Sequence, residues 1–251
     1  MSIQPAVIDS APYILCNEQR QDETIEILRS FSIEGGLHFG FSGWLNYDIM
    51  AATKSSRGII CDSSPRMMEF YQIFKERVVL EDGRTAFLQK LQAVFQKNWN
   101  YFDNGTLSQL ERELTRPGSW LSTNEGFHFI REMHRKNRIL YKQLDATGCF
   151  DLLQNLQIRT LYTSNIHDWV EESSVNKEAF EYNMHSLIDD DTLYIDAFYP
   201  HTNRYGLPVQ DGTGPPLRIT EGRLPTFQRT RLPEVSQKAH MPLSAKRLNF
   251  N

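Results

Sequence analysis

The residues of this chain able to do chemistry stand at the ends of short apolar runs. Gly40, Ser42 and Gly43 close the run LHFGFSG. Glycines there permit a tight turn and let backbone approach a ligand, while Ser42 adds a hydroxyl donor. Asp62 ends the run GIICD, 22 residues after Gly40. A carboxylate about 20 positions beyond a glycine turn is placed to accept hydrogen bonds from both hydroxyls of a ribose. A structural strand-to-helix turn would use the same glycines, and a helix-start aspartate would read the same as Asp62. Ser64 reads as the cap of the following helix, which leaves Asp62 for a ligand. The order of Gly40, Gly43 and Asp62 then favours a nucleotide-like cofactor site after the first strand.

Two further runs end in polar residues. RILYKQLD closes on Asp145, which could bind an adenine amine or cap the helix GCFDLL. IRTLYTSN closes on Thr163, Ser164 and Asn165 and leads into Ile166-His167-Asp168-Trp169, the densest polar and aromatic cluster. Asn165 has donor and acceptor groups that could orient an amide, amine or hydroxyl. His167 could accept a proton with Asp168 orienting it, although adjacent side chains point in different directions and a structural histidine reads the same way. Asp196, Phe198, Tyr199, His201 and Asn203 could line an acceptor pocket. The chain contains no GxxxxGK[ST] loop, HExxH pair or GxSxG elbow. Its histidines are scattered, so no metal site is assigned.

These positions need elements to hold them. Residues 22–31 carry apolar side chains at helical spacing, as do Leu45, Ile49 and Met50. Ser64-Pro65 reads as a helix start, continued by Met67, Phe70, Phe74 and Val78. Strands are expected at LHFGFSG, GIICD, RILYKQLD, IRTLYTSN and DTLYIDAFYP, with helices between them. Two edge strands are expected at PPLRITEG and LPTFQRTR. Strand–helix alternation is the mark of a parallel sheet. The fold class read here is α/β, an open, mostly parallel Rossmann-like sheet. Between strands two and three, a helical insertion of about 84–136 forms an extension or substrate cap. Residues 1–217 form the domain, and 218–251 a basic, proline-containing segment.

Composition sets bounds. Hydrophobic residues make up 40% of the 251, enough for a sizeable core. No apolar run approaches the roughly 20 residues of a membrane span, and the N-terminus lacks a signal-peptide pattern. Cytoplasmic residence without integral membrane association is the expectation. Cys16, Cys61 and Cys149 read as buried thiols. A net charge of −4 argues against a general nucleic-acid binder. From Arg218 onward, seven Lys or Arg stand against two Glu, so that segment is a solvated tail or a contact for an acidic partner.

The ordered set LHFGFSG, GIICDSSP, RILYKQLDA, LYTSNIHDW and DTLYIDAFYP resembles the class I S-adenosylmethionine-dependent methyltransferase superfamily, over about Gly36 to Pro200. The resemblance implies S-adenosyl-L-methionine as cofactor. It places Gly40, Ser42 and Gly43 at the methionine part, Asp62 at the ribose, Asp145 at the adenine, and Ser164 and Asn165 at the transferred methyl. Methyl transfer to a small-molecule or protein acceptor would follow. The loop departs from the family by carrying Ser42 and Trp44 where glycines are usual. A non-catalytic interaction or scaffold protein and an NAD-dependent oxidoreductase are the alternatives, the latter lacking a Tyr-xxx-Lys pair.

Overall fold

The computed structural model describes residues 14–16, 18–98, 104–148, 156–170, 174–197 and 217–221. Six strands form one open sheet: β1 (Leu37–Phe41), β2 (Arg57–Asp62), β3 (Ile139–Gln143), β4 (Ile158–Ser164), β5 (Leu193–Ala197) and β6 (Leu217–Glu221). Their order is β3-β2-β1-β4-β5-β6. All neighbours pair in parallel except β5 and β6. The five expected inner strands and the edge strand in PPLRITEG are present. LPTFQRTR lies outside the described residues, as does most of the basic segment, whose first residues belong to β6. The chain crosses over between β1 and β4, the topological switch point beside which open α/β sheets bind ligands.

Period-two alternation divides the strand side chains between two helical layers. Ile60 faces one layer while Ile59 and Cys61 face the other. Likewise Tyr162 and Ile195 face one side, and Leu161 and Tyr194 the other. One layer contains α1 (Gln21–Ser30), α2 (Leu45–Ala52) and α3 (Pro65–Leu80). The opposite layer rests on α8 (Ser174–Leu187), which buries Phe180, Met184 and Leu187 at helical spacing. A one-turn helix, α7 (Ile166–Trp169), follows β4 directly.

The insertion consists of α4 (Arg84–Asn98), α5 (Asn104–Arg112) and α6 (Asn124–Arg135). Thr123 caps α6 by accepting from the Gly126 N–H at 3.1 Å, and the helix buries Phe127, Ile130, Met133 and His134. The apolar members of this set share one core with Trp44, Tyr47 and Phe74. The insertion is therefore built into the body of the protein on the α2–α3 face. Trp44 and Trp120 pack with ring centroids 5.6 Å apart, and Arg84 Nη1 reaches the carbonyls of Leu114, Leu121 and Ser122.

Two local expectations need correcting. Ser64 occupies the N-cap of α3, yet its side chain makes no capping bond. The Asp62 carboxylate takes the Ser64 N–H instead, at 2.8 Å, because Asp two residues upstream closes a compact Asx turn. Asp196 is likewise bound within the fold: Arg218 Nε donates to it at 2.7 Å across the β5–β6 pair, and Arg218 Nη2 donates to its other oxygen. Among the described residues, no helix is long and apolar enough to cross a membrane.

Candidate functional site

A cleft of about 530 Å³ opens at the carboxyl ends of the first three strands. Its walls include Ser42 after β1, Cys61 and Asp62 at the end of β2, Asp145 and Thr147 after β3, and Ile166 of α7. Three residues singled out from sequence, Ser42, Asp62 and Asp145, are thus brought together. Burial pushes the Asp62 carboxyl up, opposed by hydrogen bonds from the Ser64 N–H and the Ser42 hydroxyl. Burial also pushes the Cys61 thiol up to about 12, helped by the neighbouring Asp62 charge. Cys61 is therefore a protonated wall and no nucleophile at neutral pH.

Asp145 stands two residues beyond the end of β3 and is exposed. Its Oδ1 accepts from the Thr147 N–H and hydroxyl, each at 2.8 Å. From below, Asn183 of α8 donates to the carbonyls of Ala146 and Gly148 at 3.0 and 2.7 Å. The floor at this end is thus fixed backbone with one carboxylate above it. The helix expected at GCFDLL lies outside the described residues.

The turn after β1 is built differently from its sequence reading. Gly40 lies inside β1, paired with Ile60 and Tyr162. A Cβ there would collide with Asn46 Oδ1 and His38 Nε2, so this glycine makes room for side chains of the protein itself. Asn46, fully buried in α2, sets its Nδ2 within reach of the carbonyls of Phe41 (3.1 Å), Ser42 and Gly43 (2.9 Å). His38 Nε2 lies 2.9 Å from Asn46 Oδ1, and His38 Nδ1 lies 2.8 Å from Thr160 Oγ1. Ser42 and Gly43 adopt φ of 53° and 44°. The left-handed region costs a non-glycine residue about 1 kcal/mol or more. Gly43 packs toward Ile14 and Cys16, and does not line the cleft.

The segment after β4 is divided. Ser164, at φ 55°, donates its hydroxyl to the buried carboxylate of Glu18, which also accepts from Tyr162 at 2.8 Å. Asn165 starts α7, with its Oδ1 3.2 Å from Ser164 Oγ. His167 turns to Phe180, ring centroids 6.1 Å apart, while Ile166 takes the cleft-facing place. Neither Asn165 nor His167 lines the cleft. The side chain of Asp168 lies outside the described residues, as do Phe198, Tyr199, His201 and Asn203. Among the described residues, no group of three His, Cys, Asp or Glu could hold a metal.

A larger cleft of about 740 Å³ lies against α1, with Cys16, Glu18, Gln21, Arg112, Glu113 and Arg116 among its walls. It touches the strand ends only through Glu18, which accepts from Ser164 at the end of β4, and Cys16, which lies beside Gly43 after β1. Arg116 is engaged there by Asp22, Asp48 and Glu113. The smaller cleft, which gathers the ends of β1, β2 and β3, is the candidate site.

Fold and cleft define an open, Rossmann-like α/β protein with a cleft at its strand ends. The chain belongs to the family described as Domain of unknown function (DUF7790), whose model matches residues 13–100 and 93–218. No curated protein sequence matches it. Among solved structures it is similar to the "rRNA methyltransferase aviRa from Streptomyces viridochromogenes", at 13% identity over 82% of each chain and a TM-score of 0.41. That likeness carries no information about ligand or reaction.

Proposed function

We propose that the protein is an S-adenosylmethionine-dependent methyltransferase acting on a small-molecule or protein acceptor. The observation that carries this reading is the convergence of Ser42, Asp62 and Asp145 in one cleft, from the ends of three parallel strands. Its volume falls within the range of about 300–1,000 Å³ usual for cofactor and small-ligand sites. The residues lining the cleft suit the cofactor: Asp62 would take the ribose hydroxyls, the 145–147 turn the adenine edge, and Ser42 the methionine part. Bound there, S-adenosylmethionine supplies a sulfonium methyl open to direct attack by a nucleophilic atom. Such transfer is served mainly by alignment and local electrostatics. Ser164 and Asn165 would border the acceptor, with Asn165 orienting it. His167 and Asp168 complete that segment, and His167 would need to leave Phe180 to reach a substrate.

Calorimetric titration of folded protein with S-adenosylmethionine, S-adenosylhomocysteine and NAD tests the reading. Both sulfur ligands are expected to bind, NAD is not, and Asp62→Ala should weaken binding by about tenfold or more. Absence of binding to either sulfur ligand overturns the proposal, and binding of NAD alone would move the chain to the oxidoreductases. A second reading, a non-catalytic binding module, is favoured by Asn165 and His167 standing outside the cleft. It predicts cofactor binding without methyl transfer to any acceptor in a substrate screen.

A further inference from the structure

The turn between β1 and α2 lacks the run of alternating glycines that lets backbone wrap a cofactor, and a side chain stands behind it instead. Asn46 projects from the first turn of α2 back under the end of β1, where its two amide hydrogens are shared among three successive carbonyls. With Nδ2 committed to those carbonyls, Oδ1 can only accept. The hydrogen between Asn46 and His38 therefore sits on His38 Nε2. His38 Nδ1 is then bare and accepts from the Thr160 hydroxyl on β4. Burial holds the imidazole neutral, its pKa lowered to about 4. Every polar atom of this relay has one role, and the relay joins both strands of the switch point to the turn.

We propose that Asn46, oriented by His38 and Thr160, is the positioning residue for the cofactor, doing with a side chain what the missing glycines would do with backbone. This inference rests on the cofactor reading above. In a planar peptide the N–H points opposite to the C=O. Drawing the Ser42 carbonyl onto Asn46 therefore turns the Gly43 N–H away from α2. Ser42 N–H is spent on Cys61 O and Trp44 N–H on Ile14 O, each at 2.8 Å, while no backbone acceptor among the described residues takes the Gly43 N–H. The same hold keeps Ser42 at positive φ, with its hydroxyl on Asp62. Asn46 thus presets the Ser42 hydroxyl and, through it, the Asp62 carboxylate that a ligand meets at this end of the cleft, without touching the ligand.

The test compares wild type with Asn46→Asp, which keeps the shape of the side chain but removes its N–H donors, and with the pair His38→Ala and His38→Gln. Binding of S-adenosylhomocysteine is measured by calorimetry, and exchange of the Ser42, Gly43 and Trp44 amides by NMR on the ligand-free protein. Folded Asn46→Asp is expected to bind about tenfold more weakly and to exchange faster at the turn. His38→Ala should follow it, and His38→Gln, whose amide can still donate to Asn46, should recover most of the affinity. If Asn46→Asp does not fold, the His38 pair carries the comparison. Undiminished affinity in folded Asn46→Asp, or in His38→Ala, overturns the positioning role and leaves the cofactor reading standing. No binding by wild type overturns both.

Discussion

Arg116 and Asp48 meet where solvent does not reach the carboxylate: the Asp48 side chain is 0% exposed and that of Arg116 18%. Asp48 also accepts the Trp120 N–H at 2.7 Å, and the Arg116 guanidinium also holds Glu113 and Asp22. Burial pushes the Asp48 carboxyl up, and Arg116 pulls against it. One guanidinium therefore ties α1, α2 and the loop before α6 into a single unit. Removing one member of a buried pair leaves the other charged and uncompensated, at a cost of about 3–5 kcal/mol. Arg116→Ala, which strands Asp48, should lower the urea midpoint accordingly, Asp48→Ala should cost less because Glu113 and Asp22 still hold the guanidinium, and the double variant should cost less than the sum of the two. Strict additivity would show that the pair is not coupled.

The buried histidines His38 and His134 should lose their stabilising share as pH drops from about 6.5 toward 4, while the raised Asp48 and Asp62 carboxyls work in the opposite direction over the same range. Burial lowers His38 to about 4 and His134 to about 3, the latter aided by Lys75. Both groups are neutral in the folded state and take up protons more readily when unfolded. Their contribution is complete above the unfolded value near 6.5 and is lost as pH falls through the window down to the folded values. A folded pKa lying one pH unit below the unfolded one is worth about 1.4 kcal/mol, so the loss across this window amounts to several kcal/mol. Urea titrations at pH 7.5 and pH 5 on wild type and His38→Gln isolate the His38 share, which should vanish from the variant's pH dependence.

Gly40→Ala and Gly83→Ala form a matched pair. At Gly40 a methyl would run into Asn46 and His38, whereas at Gly83 nothing lies within 4 Å of the added carbon. Overpacking of this kind costs about 1–3 kcal/mol, so Gly40→Ala should lower the melting temperature by several degrees. Gly83→Ala, just ahead of α4, should leave it unchanged or raise it slightly. Equal melting of the two variants would contradict the packing around Asn46.

Arg218→Ala should act locally. Its partner Asp196 is 11% exposed, but the arginine itself is 54% exposed, so the global cost should stay under about 1 kcal/mol. The β6 amides that pair with β5 should exchange faster, while those of β1 and β4 keep their protection. Hydrogen exchange read by mass spectrometry distinguishes this from general destabilisation.

The strands are legible in the sequence because β-branched and aromatic runs such as IRTLYTS and LYIDA are buried across the sheet and admit few other readings. The cleft is legible in outline because strand ends in an open sheet lie together whatever the intervening helices do. The support of the turn is not. His38 and Thr160 are 122 residues apart, and a glycine leaving space for Asn46 reads in sequence just like one leaving space for a ligand. The clue is an asparagine on the inward face of α2. The polar cluster after β4 misleads for a local reason. Ser164 turns the chain at positive φ, which puts Ile166 into the cleft and sends His167 to Phe180. Glu18 escapes a reading of the sequence because its partners on β4 are remote along the chain.

Trp44 directly follows the Ser42–Gly43 turn and packs within the insertion core against Trp120, whose own backbone N–H is held by Asp48. The two ends of that contact cannot relax separately. Whatever grips the turn should slow the opening of α4 and α6, and loosening those helices should weaken the grip to the same degree, since such coupling is reciprocal. The insertion thus works as ballast for the turn, and the occupancy of a small site becomes readable in the breathing of a distant layer of helices.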